Sequence, residues 1–151
     1  MDLSWPIGNS VNDGIDKDMY LGQVVAVTYP SVDDFAALIV SLGQHCLLFK
    51  TDLSRAYRQL PVCPGDIGFL GYFWNGSYFI DKVLPFGQRS AAYICQRVTN
   101  AIAHLFRYKG FYVLNYLDDF RGADTPERAH EAFWYLRHLL TLLGVEESTE
   151  K

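Results

Sequence analysis

Three aspartates carry the chemistry that this sequence is equipped to do. Asp118 and Asp119 are adjacent, follow the apolar run Phe111, Tyr112, Val113, Leu114 and Tyr116, and precede Phe120. Neighbouring carboxylates repel each other, and a tight turn beside apolar strands solvates both poorly. Such a pair persists where something positive, usually a divalent metal, offsets the repulsion. By itself the dipeptide reads first as a polar hairpin tip, because Asp is a favoured turn residue. Asp52 shifts that balance, since it ends a short run from Cys46 to Phe49 that continues through Lys50 and Thr51. If the strands are sheet neighbours, three carboxylates converge on one edge. Such a cluster suits two Mg²⁺ ions about 3.5–4 Å apart, one activating a hydroxyl and one holding a triphosphate. Mg²⁺ takes a few carboxylates plus substrate oxygens in preference to a closed protein cage, so a sparse acidic site suffices.

The elements that must position these acids are legible in outline. Residues 1 to about 29 are rich in Gly, Asn, Asp and Pro without a sustained period and are expected to form a loop-rich arm. Ser31 with Asp34 three residues on resembles an N-terminal helix cap, followed by Phe35, Leu38, Ile39 and Leu42 at helical spacing before Gly43. Ile67 to Trp74 and Ser77 to Val83 flank Asn75-Gly76, a strong hairpin signal. Ser90 is placed to cap a helix with Ala91, Ile94, Cys95, Val98, Ile102 and Leu105 on one face, ended by Gly110. Phe111 to Tyr116 and Phe120 onward predict a second hairpin with the acid pair at its tip. Asp124 or Thr125 would cap a last helix, with Pro126 in its first turn and Ala129, Ala132, Phe133, Leu136, Leu139, Leu140 and Leu143 on its apolar face. Helices packed on one face of a mainly antiparallel sheet follow, an α+β fold.

Composition narrows the partners. The chain has 151 residues, half of them hydrophobic, enough to bury a core. No run reaches the roughly 18 apolar residues of a membrane span, and the N-terminus lacks the basic and apolar regions of a secretion signal. Cys46, Cys63 and Cys95 read as small buried hydrophobes in a reducing compartment, so an intracellular location, cytoplasmic or nuclear, is expected. The four histidines lack metal-ligand spacing. The net charge of −4 conceals a basic centre: Lys82, Arg89, Arg97, Arg107 and Lys109 lie between Asp81 and Asp118 with no acid among them. Phosphate-bearing partners suit that distribution, although a solvated mixed surface looks similar.

The residues also carry a resemblance. Asp52-Leu53-Ser54-Arg55-Ala56-Tyr57 resembles the first catalytic motif of reverse transcriptases, and Leu84-Pro85-Phe86-Gly87 with Ser90-Ala91 resembles their second. Tyr116-Leu117-Asp118-Asp119 is similar to their catalytic YXDD hairpin, and Leu143-Gly144-Val145 followed by Lys151 to the start of the next motif. Asp2-Leu3-Ser4 and Ser10-Val11-Asn12-Asp13-Gly14-Ile15 look like the end of the fingers in retrotransposon enzymes, DIRS-like elements especially.

The resemblance implies a polymerase palm with partial fingers. Residues 1–45 would be a fingers arm and helix, and 46–151 a palm with a fingers insertion near 60–85; thumb, connection and RNase H would be absent. It implies addition of dNTPs to a primer on an RNA or DNA template, weak or inactive in this fragment alone. Asp52, Asp118 and Asp119 would bind two Mg²⁺ ions, with Mn²⁺ as a substitute, and the Leu53 carbonyl as a further ligand; Asp118 is the more secure of the adjacent pair. Tyr57 would be the gate against a ribose 2′-hydroxyl, while Arg55 and Ala56 offer N–H groups to the triphosphate. Phe86, Gly87 and Gln88 would meet the nucleotide, Arg89 the template, Tyr116 the primer end, and Lys151 the leaving pyrophosphate. Ala92 stands where the family usually has proline. Surfaces left by the missing thumb and fingers would favour self-association.

Overall fold

The computed structural model describes residues 2–149. The arm holds a two-residue ladder, β1 (Met19–Tyr20) with β2 (Gln23–Val24). Helix α1 (Val32–Leu42) starts at the expected cap, which is a capping box in which Ser31 and Asp34 exchange backbone and side-chain bonds. Strand β3 (Leu47–Asp52) follows, and then β4 (Gly71–Trp74) and β5 (Ser77–Ile80) join through Asn75 at φ 46° and Gly76 at φ 77°. Helix α2 (Ala91–Tyr108) leads to β6 (Val113–Tyr116), β7 (Asp119–Asp124) and α3 (Ala129–Leu142), which ends at Gly144 with φ 69°. The fold is α+β with antiparallel sheets.

The chain divides into two compact units. One takes the residues up to Ala26 with Tyr57–Cys95, and the other takes Val27–Ala56 with the residues from Gln96 on. The first contains β4–β5 and buries Leu3, Leu70, Leu84 and Cys95. The second contains the sheet β3-β7-β6, all antiparallel.

Side chains alternate across a pleated strand, which gives the second unit's sheet two distinct faces. Phe49, Thr51, Val113, Asn115, Phe120 and Gly122 share one parity, and there Phe49 packs edge-on to Phe106 of α2 and tilted against Phe133 of α3. Gly122 makes room for this: a Cβ there would overlap the Phe49 ring. The opposite parity carries Lys50, Asp52, Leu114, Tyr116, Asp119 and Arg121. The acids therefore face away from the α2–α3 core.

Several expectations are corrected. Ile67–Leu70 is a 3₁₀ turn, not strand, because Phe69 N–H bonds back to Asp66 O, and the second strand ends at Ile80, not Val83. In α2 the buried stripe runs Ala91, Cys95, Gln96, Thr99, Ile102, Ala103 and Phe106, leaving Leu105 exposed. Helical phase carries Phe106 inward, where its ring meets Phe111 and Tyr135. Residues 126–128 form a turn before α3, so neither Asp124 nor Thr125 is its N-cap; Thr125 O instead accepts from Arg128 and Ala129. Of the cysteines only Cys95 is buried; Cys63 is exposed in a turn between Pro61 and Pro64. No helix among the described residues is long and apolar enough to cross a membrane.

Candidate functional site

The second unit brings two of the three acids side by side. The β3–β7 register pairs Asp52 with Asp119, and the β6–β7 register pairs Tyr116 with Asp119. The loop between β6 and β7 is therefore Leu117-Asp118, and Asp119 is already the first residue of a strand. Asp118 is exposed at the tip, while its carbonyl accepts the Leu53 N–H at 2.8 Å and prolongs the β3–β7 ladder. On the other edge of β3, Ser148 N–H donates to Asp52 O at 2.8 Å and Ser54 N–H to Glu146 O at 2.9 Å. None of these three bonds uses the Leu53 carbonyl oxygen. The strand end carrying Asp52 is thus gripped on both sides.

Glu147 locks that grip. Its carboxylate takes Arg137 Nε at 2.6 Å and Thr51 Oγ1 at 3.0 Å. The Arg137 hydrogen bond holds the Glu147 carboxyl below the usual glutamate range, with the Thr51 hydroxyl adding to it. Arg137 in turn is held above its ordinary value by the same bond.

The carboxylate pair is mostly buried, with side-chain exposures of 14% for Asp52 and 15% for Asp119. Lys50 Nζ stands 3.7 Å from Asp52 Oδ1 and 3.5 Å from Asp119 Oδ1, so one ammonium serves both acids. Arg121 binds Asp119 Oδ2 through Nη2 at 2.6 Å and Nε at 2.9 Å. Lys50 is near enough to Asp119 Oδ1 for Coulomb attraction yet makes no hydrogen bond to it. That buried oxygen is left without a hydrogen-bond partner among the described residues. An orphaned carboxylate oxygen keeps an unused lone pair of the kind a divalent cation takes, here with an ammonium already beside it. The three-acid cluster is not assembled: among the described residues no group of three or more His, Cys, Asp or Glu is set to hold a metal. Asp52 with Asp119 is the pair that shares a cation.

Other expected site residues of this unit lie close along the chain. Leu53 and Ala56 are buried, and Arg55 is exposed with φ 47°. A left-handed residue at such a turn converges successive N–H groups, a shape that accepts anions. Tyr116 is half-exposed and tilts against Tyr29 at 4.5 Å. A cavity of about 230 Å³ is lined by Ser31, Val32, Phe35, Leu114, Tyr116, Asp119 and Arg121.

In the first unit, Tyr57 meets Phe86 edge-on at 5.2 Å. Gly87 has φ 86°, a backbone that a side chain would strain. Asn12 holds this loop from two sides, Nδ2 donating to Gly87 O at 2.8 Å and Oδ1 accepting from Arg89 N–H at 2.8 Å. The Arg89 guanidinium donates to Ile15 O. Gln88 donates to Ser90 Oγ at 3.0 Å and lines a cavity of about 500 Å³. Lys151 lies outside the described residues.

Gln96 was not singled out from sequence, and Asn12 only as one residue of the resemblance over residues 10–15, with no role of its own. Asn12 grips the Gly87 loop, and Gln96 of α2 bonds to the Leu117 N–H at 2.8 Å. Both are buried amides; for Gln96 the signal was a polar side chain beside the apolar phase of its helix, whereas Asn12 lies in a polar stretch that carried no such signal.

No protein-family model matches the chain, and no curated protein matches it. Among solved structures, the protease-reverse transcriptase of prototype foamy virus, a CSH mutant labelled with selenomethionine, matches over 93% of this chain with a TM-score of 0.68 and 19% sequence identity. The chain spans 17% of that protein's length. The fold is therefore reverse-transcriptase-like.

Proposed function

We propose that the chain is the palm and partial fingers of an RNA-directed DNA polymerase that transfers dNTPs onto a primer 3′-hydroxyl along an RNA or DNA template. The observation that carries this reading is the Asp52–Asp119 pair, opposed across β3 and β7 and sharing one ammonium, in a reverse-transcriptase-like fold. Two Mg²⁺ ions, with Mn²⁺ as a substitute, would supply Lewis acidity to the hydroxyl and offset charge on the leaving pyrophosphate. Asp52, Asp119 and Asp118 would hold them, with the Leu53 carbonyl. Lys50, on a flexible stem, would withdraw from between the acids, and Arg121 would keep Asp119 oriented. Arg55 and Ala56 would present N–H groups to the triphosphate, Tyr57 would exclude a 2′-hydroxyl, and Phe86, Gly87 and Gln88 would meet the nucleotide. Arg89 and Tyr116 would meet template and primer, and Lys151 the pyrophosphate. The residues 2–4 and 10–15 support a DIRS-like retrotransposon origin.

Isothermal titration of Mn²⁺ into the 151-residue chain tests the pair. Binding is expected, and Asp52→Asn and Asp119→Asn should each weaken it by roughly tenfold or more. Binding that ignores both substitutions removes the metal reading, and primer extension with dNTPs then tests turnover.

A second reading is a non-catalytic, domesticated module that binds nucleic acid or protein. It is favoured by Asp119 being already paired with Arg121 and Lys50. It expects no titratable Mn²⁺ site.

A further inference from the structure

Leu117 is the first residue of the two-residue loop between Tyr116 and Asp119, and its φ is 49°. That backbone crowds the Cβ of any residue but glycine. In a hairpin loop with this pattern, glycine is the usual occupant of the first position. The loop therefore runs against its own local preference, and something outside it must hold it.

That something is on α2. Gln96 is 3% exposed, and its side-chain amide bonds through both its nitrogen and its oxygen. Its Oε1 accepts the Leu117 N–H at 2.8 Å, and its Nε2 donates to Asn115 O at 3.1 Å and Asn100 Oδ1 at 2.8 Å. Asn115, itself buried, donates to Asn100 Oδ1 at 2.8 Å and to Thr99 Oγ1 at 3.0 Å. Turning the Gln96 amide over would set donor against donor at Leu117 and acceptor against two acceptors at Asn100 and Asn115. The network thus fixes which atom faces the turn. A buried amide costs stability unless satisfied, so its place on a largely apolar stripe calls for a partner that an apolar residue cannot serve.

We infer that Gln96 is a positioning residue for the acidic hairpin: it holds the left-handed Leu117 turn and thereby sets where Asp118 and Asp119 stand. Its importance to turnover rests on the metal-dependent reading above, whereas its grip on the turn does not. Leu53 secures the far side of the same loop through the Asp118 carbonyl, so the tip is bonded from α2 and from β3.

The test is amide hydrogen exchange by NMR on the 151-residue chain. In Gln96→Met, exchange at Leu117 should rise roughly tenfold while Phe106 and Phe120 keep their protection. Where Mn²⁺ binds, Gln96→Met should weaken it several-fold, and adding Leu117→Gly, which needs no outside support at positive φ, should restore it. Unchanged exchange at Leu117 overturns the inference, as does lost Mn²⁺ affinity that Leu117→Gly fails to recover. If Gln96→Met does not fold, the unmutated chain decides: a scalar coupling across the hydrogen bond between the Leu117 nitrogen and the Gln96 side-chain carbonyl carbon supports the clamp, and its absence overturns it. A chain that binds no Mn²⁺ yet shows that coupling and the exchange change removes the metal reading and leaves the clamp in place.

Discussion

The two hairpins of this chain reach the same topology by opposite means. In β4–β5 the loop is Asn75-Gly76, both with positive φ, which is what a two-residue turn favours. Its strands are exposed on both sides, with Phe73, Trp74, Tyr78 and Ile80 open to solvent. In β6–β7 the loop is Leu117-Asp118, a poor choice locally, and it is bonded by Gln96, while the strands it joins bury Val113 and Phe120. A turn that forms by itself needs nothing from the rest of the molecule. A turn that does not form by itself can be dictated by its surroundings, and strained backbone of this kind concentrates at functional sites.

The contrast predicts its own tests. The largest effect is in the core: Phe120→Ala should cost about 3–5 kcal/mol by urea unfolding, and Phe73→Ala under about 0.5 kcal/mol. Equal costs would mean that β4–β5 is no less packed than β6–β7. Next come the turns. Gly76→Ala places a Cβ at φ 77° and should destabilise by about 1 kcal/mol. Leu117→Gly removes one at φ 49° and should be neutral or stabilising by up to about 1 kcal/mol. Loss of stability in both would show that Leu117 is not strained.

The smallest effect is pH-dependent. Glu147 has its folded value lowered below the ordinary 4.5, so it stabilises the β3 end above that pH. That contribution is lost as pH falls through the folded value. Glu147→Gln should lower amide protection at Leu53 near neutrality and leave it unchanged under strong acid, while Tyr72 in β4 stays the same at both. A difference at Leu53 that persists under strong acid would assign the effect to packing.

How much was legible follows from where each preference resides. The Ser31–Asp34 cap and the Asn75-Gly76 turn depend on residues a few positions apart, and both stand as read. Helix α2 was legible in extent, but its inward phase was set by Phe106 meeting Phe49 and Tyr135, which are remote in sequence, as well as the nearby Phe111. Gln96 escaped notice because a polar residue beside an apolar pattern looks like a lapse until its partners are known, and the part played by Asn12 because it lies in a polar arm where nothing marks one amide from the next.

Sequence alone determined that one acid ends a strand, that an adjacent pair falls at a hairpin tip and that the two hairpins exist, because period and turn chemistry are short-range properties. Tertiary structure decided the rest. Register placed Asp119, rather than Asp118, opposite Asp52, since only cross-strand pairing fixes which of two adjacent carboxylates stands beside the third. It also decided that a leucine can sit where glycine belongs, because the bonds holding it come from a helix some twenty residues away.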